Sequence, residues 1–172
     1  MSDFELRLAT ASDLPAINDI YNHYVATSTT TYNYQPTTSE ARSKWFQDRL
    51  EIHPVTVVTR REQVVAWGSL GPFRPQPGYR LTVENSVYVH PDHQRCGIGS
   101  ILLTDQTERA QTLGLWAIVA VIDSEQVASI AIHRKFGFVE KGRLTRIARK
   151  FDRWLDAVLM QYEVDASGPP SL

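Results

Sequence analysis

The chain reads as an α/β protein built on a mixed sheet with helices on both faces. Three observations predict this. Strand-like and helix-like segments follow one another in the order β α α β β β α β α β β. A strand over residues 81–89 passes through a short polar turn into a helix opened by Gly97-Ile98-Gly99. Residues 115–122 form a continuous apolar run, as a strand buried on both faces does.

The elements can be taken in order. Phe4, Leu6 and Leu8 alternate with polar residues as a first strand. Thr10 or Ser12 caps a helix carrying Leu14, Ile17, Ile20, Tyr21 and Tyr24 on one face. Residues 26–38, rich in Thr, Tyr and Asn, form an ordered loop. Thr38 or Ser39 starts a second helix through Trp45, Phe46 and Leu50 that ends near His53-Pro54. Residues 55–59 and 64–70 make a hairpin around Arg61-Glu62-Gln63. Pro72, Pro75 and Pro77 mark residues 71–78 as a loop. The helix after the glycines places Ile98, Leu102, Thr104, Asp105, Ala110 and Leu113 on its periodic face. Residues 124–136 are another helix, stopped by Gly137, and residues 138–147 and 154–162 close the fold as strands. One domain over residues 1–165 is expected, with residues 166–172 as a frayed tail.

Composition narrows the function. The 172 residues carry a net charge of −1, which gives no general pull toward nucleic acid or a membrane surface. The single cysteine, Cys96, excludes an internal disulfide and suits a reducing, cytoplasmic setting. No segment reads as a signal peptide or a membrane span. No metal site is expected, because the histidines lack HExxH or CxxC spacing and His90 and His93 straddle a Pro-Asp turn. No GxSxG elbow supports a hydrolase triad.

The glycine junction carries the chemistry. Glycines there let a ligand approach the backbone closely, and a helix N-terminus presents N–H groups and partial positive charge to a phosphate. The Rossmann spacing GxGxxG is not met, and no Gly-Lys-Ser/Thr follows. What remains is Gln94-x-x-Gly97-x-Gly99. Its plain alternative is a turn with a glycine helix start.

That pattern resembles the acetyl-CoA pyrophosphate loop of the GNAT superfamily of N-acetyltransferases. The run Ser129-Ile130-Ala131-Ile132-His133-Arg134-Lys135-Phe136-Gly137-Phe138 is similar to the family helix that packs beside the pantetheine arm and ends at Gly-Phe. His133 stands where most of the superfamily has Tyr, as in the branch of phosphinothricin and methionine sulfoximine acetyltransferases. Ile20-Tyr21-Asn22-His23, Thr82-Val83-Glu84-Asn85-Ser86-Val87-Tyr88-Val89 and Lys150-Phe151-Asp152-Arg153-Trp154-Leu155-Asp156 resemble the same branch, in order along the chain. The resemblance implies the acyl-CoA N-acyltransferase fold, a mostly antiparallel sheet, acetyl-CoA as cosubstrate, a small amine or amino-acid analogue as acceptor, and a homodimer.

It also implies roles. Acetyl transfer needs a held thioester, a neutral amine, stabilisation of the oxyanion and a proton for the leaving thiolate. Val87 and Val89 are expected to pair with the cofactor arm through their backbones, with an N–H near Tyr88 or Val89 polarising the thioester carbonyl. Tyr88 itself reads as core or cofactor wall. Gln94, Arg95, Cys96, Gly97, Ile98, Gly99 and Ser100 are expected at the pyrophosphate. Gln126 and Ser129 are expected along the arm, and Lys135 reaches a phosphate or is a surface lysine. Glu84 is the candidate base that deprotonates the amine; the alternative is an ion pair or a carboxylate that only orients the ammonium. His133 either protonates the thiolate or is hydrogen-bonded to cofactor or backbone. Arg74 and Arg80, flanking Pro77-Gly78-Tyr79, suit a forked grip on an acceptor carboxylate, with Asn85 on the same side. Phe73, Tyr34 and Trp45 wall a pocket or pack the core. The block 150–156 closes the site or forms the dimer seam.

The chain departs from the family at Gln126 (usually Asn), Cys96 (often basic or polar), Asn85 (frequently His) and Pro72-Phe73 (frequently Asp-Trp). The last two put the acceptor in question and leave the reaction intact. Acetylation of a polyamine, an amino sugar or a peptide terminus is the rival activity. A non-catalytic acyl-CoA sensor is the rival of another class.

Overall fold

A computed structural model describes residues 3–49 and 51–164. The strands are β1 (Phe4–Leu8), β2 (Val55–Arg60), β3 (Gln63–Pro72), β4 (Thr82–Val89), β5 (Ala117–Asp123), β6 (Val139–Lys150) and β7 (Arg153–Glu163). The helices are α1 (Leu14–Thr27), α2 (Ser39–Gln47), α3 (Ile98–Thr112) and α4 (Val127–Lys135). The strands form one sheet in the order β1-β2-β3-β4-β5-β7-β6. Its neighbours pair antiparallel except β4 and β5, which are parallel.

The alternation of apolar residues along β2 and β3 assigns the two faces. Val55, Val57 and Trp67 pack against Leu14, Ile17 and Ile20 of α1, with Trp45 and Phe46 of α2 beside them. Val58, Val65 and Ala66 pack against Ile98 and Leu102 of α3. The third cluster lies under α3 and α4 and joins Val83, Leu103, Ile118, Phe138 and Met160. The element order is the expected one, and helices cover both faces.

Several boundaries differ from expectation. The start of α1 is fixed by Asp13 rather than Ser12. Asp13 accepts from Thr10 N at 2.8 Å and from both Arg7 guanidinium nitrogens at 2.7 and 2.8 Å, within a short 3₁₀ turn that precedes α1. Helix α2 ends at Gln47, and Leu50 lies outside the described residues, as does the tail 166–172. On α3 the buried face takes Leu103 and Gln106 and leaves Thr104 exposed. Helix α4 begins at Val127, because Asp123 holds the preceding turn by accepting Glu125 N at 2.9 Å. The last two strands run on to a turn at Phe151-Asp152, both with positive φ. Arg61 and Glu62 make the same kind of turn between β2 and β3, as tight hairpins of this hand require.

Candidate active site

The centre of the sheet is open. β4 and β5 pair only at Thr82–Glu84 against Ala117–Val119, and beyond that seam the two strands have no register with each other. A cleft of about 610 Å³ fills the gap, lined by Val87, Tyr88 and Val89 on one side and Ala120, Val121 and Ile122 on the other. The apolar run of β5 therefore faces a cavity where full burial was expected, and Val121 is 40% exposed.

Register settles which backbone groups face that gap. His90 N–H donates to Val65 O, so in the antiparallel β3–β4 ladder the even-numbered residues of β4 point their backbone groups at β3. The odd-numbered ones, Val87 and Val89, point theirs into the cleft. Val89 O already accepts the Tyr24 hydroxyl, which leaves Val87 N–H, Val87 C=O and Val89 N–H as a free strand edge. The Tyr88 N–H belongs to the ladder. The Tyr88 side chain stacks on Trp67 at 4.7 Å between ring centroids, as a wall residue would.

At the mouth of the cleft, Gly97 caps α3 with φ 81, and Arg95 also has positive φ. This turn aims the opening N–H groups of α3, which have no intrahelical partner, at one point. Added at Gly97, a Cβ would meet no atom within 4 Å, so the space before the helix is open; added at Gly99 it would come within 3.0 Å of Ile132 Cδ1. One glycine thus serves the turn and the other the close packing of α3 on α4. Gln94, Arg95, Gly97, Ile98 and Gly99 line the cleft. Gln94 is held by donating from Nε2 to the Tyr24 oxygen at 2.9 Å. Cys96 and Ser100 do not line it. Cys96 is exposed, with Sγ toward Gln94 O, and Ser100 N–H donates to Gly97 O.

Two groups of opposite character meet at the inner end. Glu84 lines the cleft, and among the described residues its carboxylate has neither a hydrogen bond nor an ion pair. Burial pushes its carboxyl above the ordinary carboxylate range. On the opposite face of β4, Asn85 Nδ2 lies 3.0 Å from Gln106 Oε1 and 3.0 Å from His133 Nε2. His133 Nδ1 is 2.7 Å from Ser129 O, a carbonyl that can only accept. The ring is therefore neutral with its proton on Nδ1, and Nε2 receives Asn85. Burial lowers its pKa, partly opposed by the bond to Ser129.

The remaining expected residues are dispersed. Gln126 and Ser129 line the cleft, and Gln126 Nε2 donates to Thr29 Oγ1 at 3.2 Å. Lys135 is exposed at the end of α4, away from the cleft. Arg74, Pro77, Gly78, Tyr79 and Arg80 sit on an exposed loop outside the cleft lining, where Tyr79 packs on Phe73 and Arg74 covers the Phe73 ring. Asn85, expected beside the acceptor, lines the cleft with Glu84, and its amide is engaged toward α3 and α4. Lys150 is buried and donates to Ser28 O and Thr31 O, each at 2.7 Å, while the Tyr34 hydroxyl donates to Arg149 O. The block at 150 thereby clips the α1–α2 loop, whose Thr30, Thr31 and Tyr32 line the cleft. Sequence reasoning missed Tyr24 as the residue that fixes both Val89 and Gln94. It also missed Gln106, whose Nε2 bonds Ser86 O at 2.9 Å.

A split central sheet with a backbone edge on one side and a helix N-terminus at its mouth defines an acyl-CoA-dependent transferase. The comparisons agree. The model of the acetyltransferase (GNAT) family matches residues 17–138. The L-amino acid N-acyltransferase MnaT of Escherichia coli is 39% identical over 96% of this chain and 96% of its own length. An L-methionine sulfoximine/L-methionine sulfone acetyltransferase of Pseudomonas aeruginosa is 40% identical over 93% of this chain and 94% of its own. The crystal structure of a GNAT superfamily phosphinothricin acetyltransferase from Sinorhizobium meliloti in complex with acetyl-CoA superposes with a TM-score of 0.93 at 32% identity, covering 98% of this chain and 94% of that one. The chain belongs to the acetyltransferase (GNAT) family, and acetyl-CoA is the cosubstrate of such enzymes.

Proposed function

We propose that this protein acetylates the amino group of a small amino-acid analogue of the methionine sulfoximine, methionine sulfone or phosphinothricin type. The observation that carries the reading is Glu84, a half-buried carboxylate without a partner among the described residues, placed where a free strand edge and a cleft meet. Acetyl-CoA, when bound, supplies the acetyl group as an activated thioester. The residues present fit it: Val87 and the Val89 N–H offer strand-like pairing, and the Gly97 turn offers N–H groups to the pyrophosphate with Arg95 beside them.

Glu84 then takes a proton from the incoming ammonium, directly or through one water, so that the nitrogen carries a free lone pair. The Val89 N–H is the cleft-facing donor closest to the expected position and polarises the thioester carbonyl as the amine attacks. His133 acts here as a positioning residue. To protonate the thiolate it would have to gain a second proton while burial disfavours the charged ring and both nitrogens are already engaged. A thiol has a reference pKa of about 8.5, so the departing thiolate needs little help.

The Arg74–Arg80 loop and Lys135 keep their proposed parts, at the acceptor entrance and an outer phosphate. A homodimer through the outer edge of the sheet is part of this reading, supported by exposed Leu144, Ile147, Phe151 and Trp154 on and beside β6 and β7. So is a single domain over residues 1–165 in the cytoplasm, which suits one exposed free thiol; no helix among the described residues is long and apolar enough to cross a membrane.

The test is thiol release from acetyl-CoA with a panel of amines: phosphinothricin, methionine sulfoximine, methionine sulfone, common amino acids, spermidine and a peptide N-terminus. Release with the amino-acid analogues, lost in Glu84→Gln while acetyl-CoA still binds, supports the reading. Release with spermidine or the peptide alone, or indifference to Glu84→Gln, refutes it.

A further inference from the structure

A second cavity, of about 280 Å³, opens on the other side of Ser86 and Tyr88, which line both it and the cofactor cleft. Its charged lining consists of two arginines, Arg42 of α2 and Arg49 just beyond it. Arg42 is only 4% exposed. Its Nε donates to Asn18 Oδ1 at 3.1 Å, and its guanidinium carbon lies 4.7 Å from the Tyr21 ring centroid and 4.6 Å from that of Trp45. Arg49 donates to Leu70 O at 2.7 Å and stacks on Trp45 at 4.2 Å. Neither has a carboxylate partner among the described residues. Trp67, also in the lining, has its Nε1–H buried without an acceptor.

This is an unbalanced arrangement. Buried charges are costly unless paired, and ring stacking offsets only part of that cost. Burial pushes the Arg49 guanidinium down to about 10, with the charge of Arg42 adding to the effect, so each cation makes the other less favourable. A small anion would relieve both. The position is also apt. Ser86 sits two residues beyond Glu84 on the same face of β4, about 7 Å along the strand, and opposite Ser69 of β3, which also lines the cavity.

We propose that this cavity is the acceptor's oxyanion subsite: Arg42 and Arg49 bind a negatively charged or oxygen-rich group of the acceptor while its amine lies at Glu84. The inference rests on the acetyl-transfer reading and adds to the Arg74–Arg80 loop at the entrance a second, deeper grip on the acceptor. The group is either the α-carboxylate or the sulfone, sulfoximine or phosphinate head, and both present the same oxygen acceptors.

Arg49→Gln and Arg49→Lys in the full chain test it, Arg49 being chosen because Arg42 is embedded among aromatic rings. Folding is checked by circular dichroism and by retained acetyl-CoA binding. For methionine sulfone, Arg49→Gln should raise KM on the order of 10- to 100-fold, the loss expected for a charge-assisted hydrogen bond, with kcat changed much less and partial recovery in Arg49→Lys. Two further acceptors locate the source. If the effect vanishes with methionine sulfone carboxamide, the carboxylate occupies the cavity; if it vanishes with norleucine, the head does. A KM unchanged for all three acceptors overturns the proposal. If the wild-type protein acetylates nothing in the panel, the acetyl-transfer reading fails on its own. The cavity is then judged by tryptophan fluorescence against added methionine sulfone and sulfate. A saturable change in wild type that Arg49→Gln loses upholds an oxyanion site, and no saturable change overturns it.

Discussion

Asn85 Nδ2 and His133 Nε2 lie 3.0 Å apart, so that one hydrogen bond ties the middle of β4 to the inner face of α4. Both residues are buried, and Gln106 completes the set by accepting from the same amide. His133→Ala leaves one Asn85 N–H without a partner in the core. The expected result is a loss of about 1–3 kcal/mol in stability, read as a lower urea midpoint at unchanged slope. A stability equal to wild type would count against the network.

Glu84 carries opposite signs for stability and turnover. Its carboxyl titrates above the ordinary range because burial disfavours the charge. The folded state therefore holds its proton to higher pH than the unfolded state does. Stability is full below the unfolded pKa and declines as pH rises toward the folded one. Turnover needs the ionised form, so kcat/KM should climb across that same raised pKa. Glu84→Gln should melt higher than wild type at neutral pH, lose the climbing limb, and drop in kcat on the order of 10²–10⁴-fold. A Glu84→Gln variant that melts lower, or keeps the limb, contradicts this account.

Gly97 stands at φ 81 with open space around its missing Cβ. Alanine there meets no clash but must adopt a left-handed conformation, at about 1–2 kcal/mol. Gly97→Ala should lower the melting temperature by an amount of that size and weaken acetyl-CoA binding in calorimetry, since the methyl occupies the approach to the helix N-terminus. Unaltered affinity would remove the turn from the phosphate site.

The Arg7–Asp13 pair predicts an acid transition. The Arg7 hydrogen bonds, with help from Thr10, hold the Asp13 carboxyl down at about 2, against an ordinary value of 3.8. Its contribution is present above about pH 4 and lost as pH falls toward 2. Arg7 is 38% exposed in its side chain, so screening limits the pair to about 1 kcal/mol. Asp13→Asn should cost that much at pH 7 and only a small part of it at pH 2, measured by denaturant unfolding at both values.

The parts of this fold legible in the sequence are those set by local periodicity and backbone freedom. The element order follows from periods of two and 3.6, and the anion turn follows from Gly97 and Gly99. The gap between β4 and β5 is implied by the family resemblance alone, because a strand that faces a ligand cleft and one that faces a neighbour carry the same apolar residues, as Ala120, Val121 and Ile122 do. Arg42 and Arg49 look like ordinary solvated charges on and just beyond a polar helix; only the tertiary placement of Tyr21, Trp45 and Trp67 buries Arg42 and that of Trp45 half-covers Arg49.

The short seam between Thr82–Glu84 and Ala117–Val119 has a mechanical consequence. It joins two ribbons, β1 to β4 and β5 with β7 and β6, that are each continuous in themselves. Beyond those three residue pairs the backbone edge has no strand partner, so without a ligand the amides of Val87 and Val89 exchange with solvent. A molecule lying along that edge becomes an eighth, non-covalent rung, so saturation with acetyl-CoA should slow exchange at the centre of the sheet and make the two ribbons unfold as one.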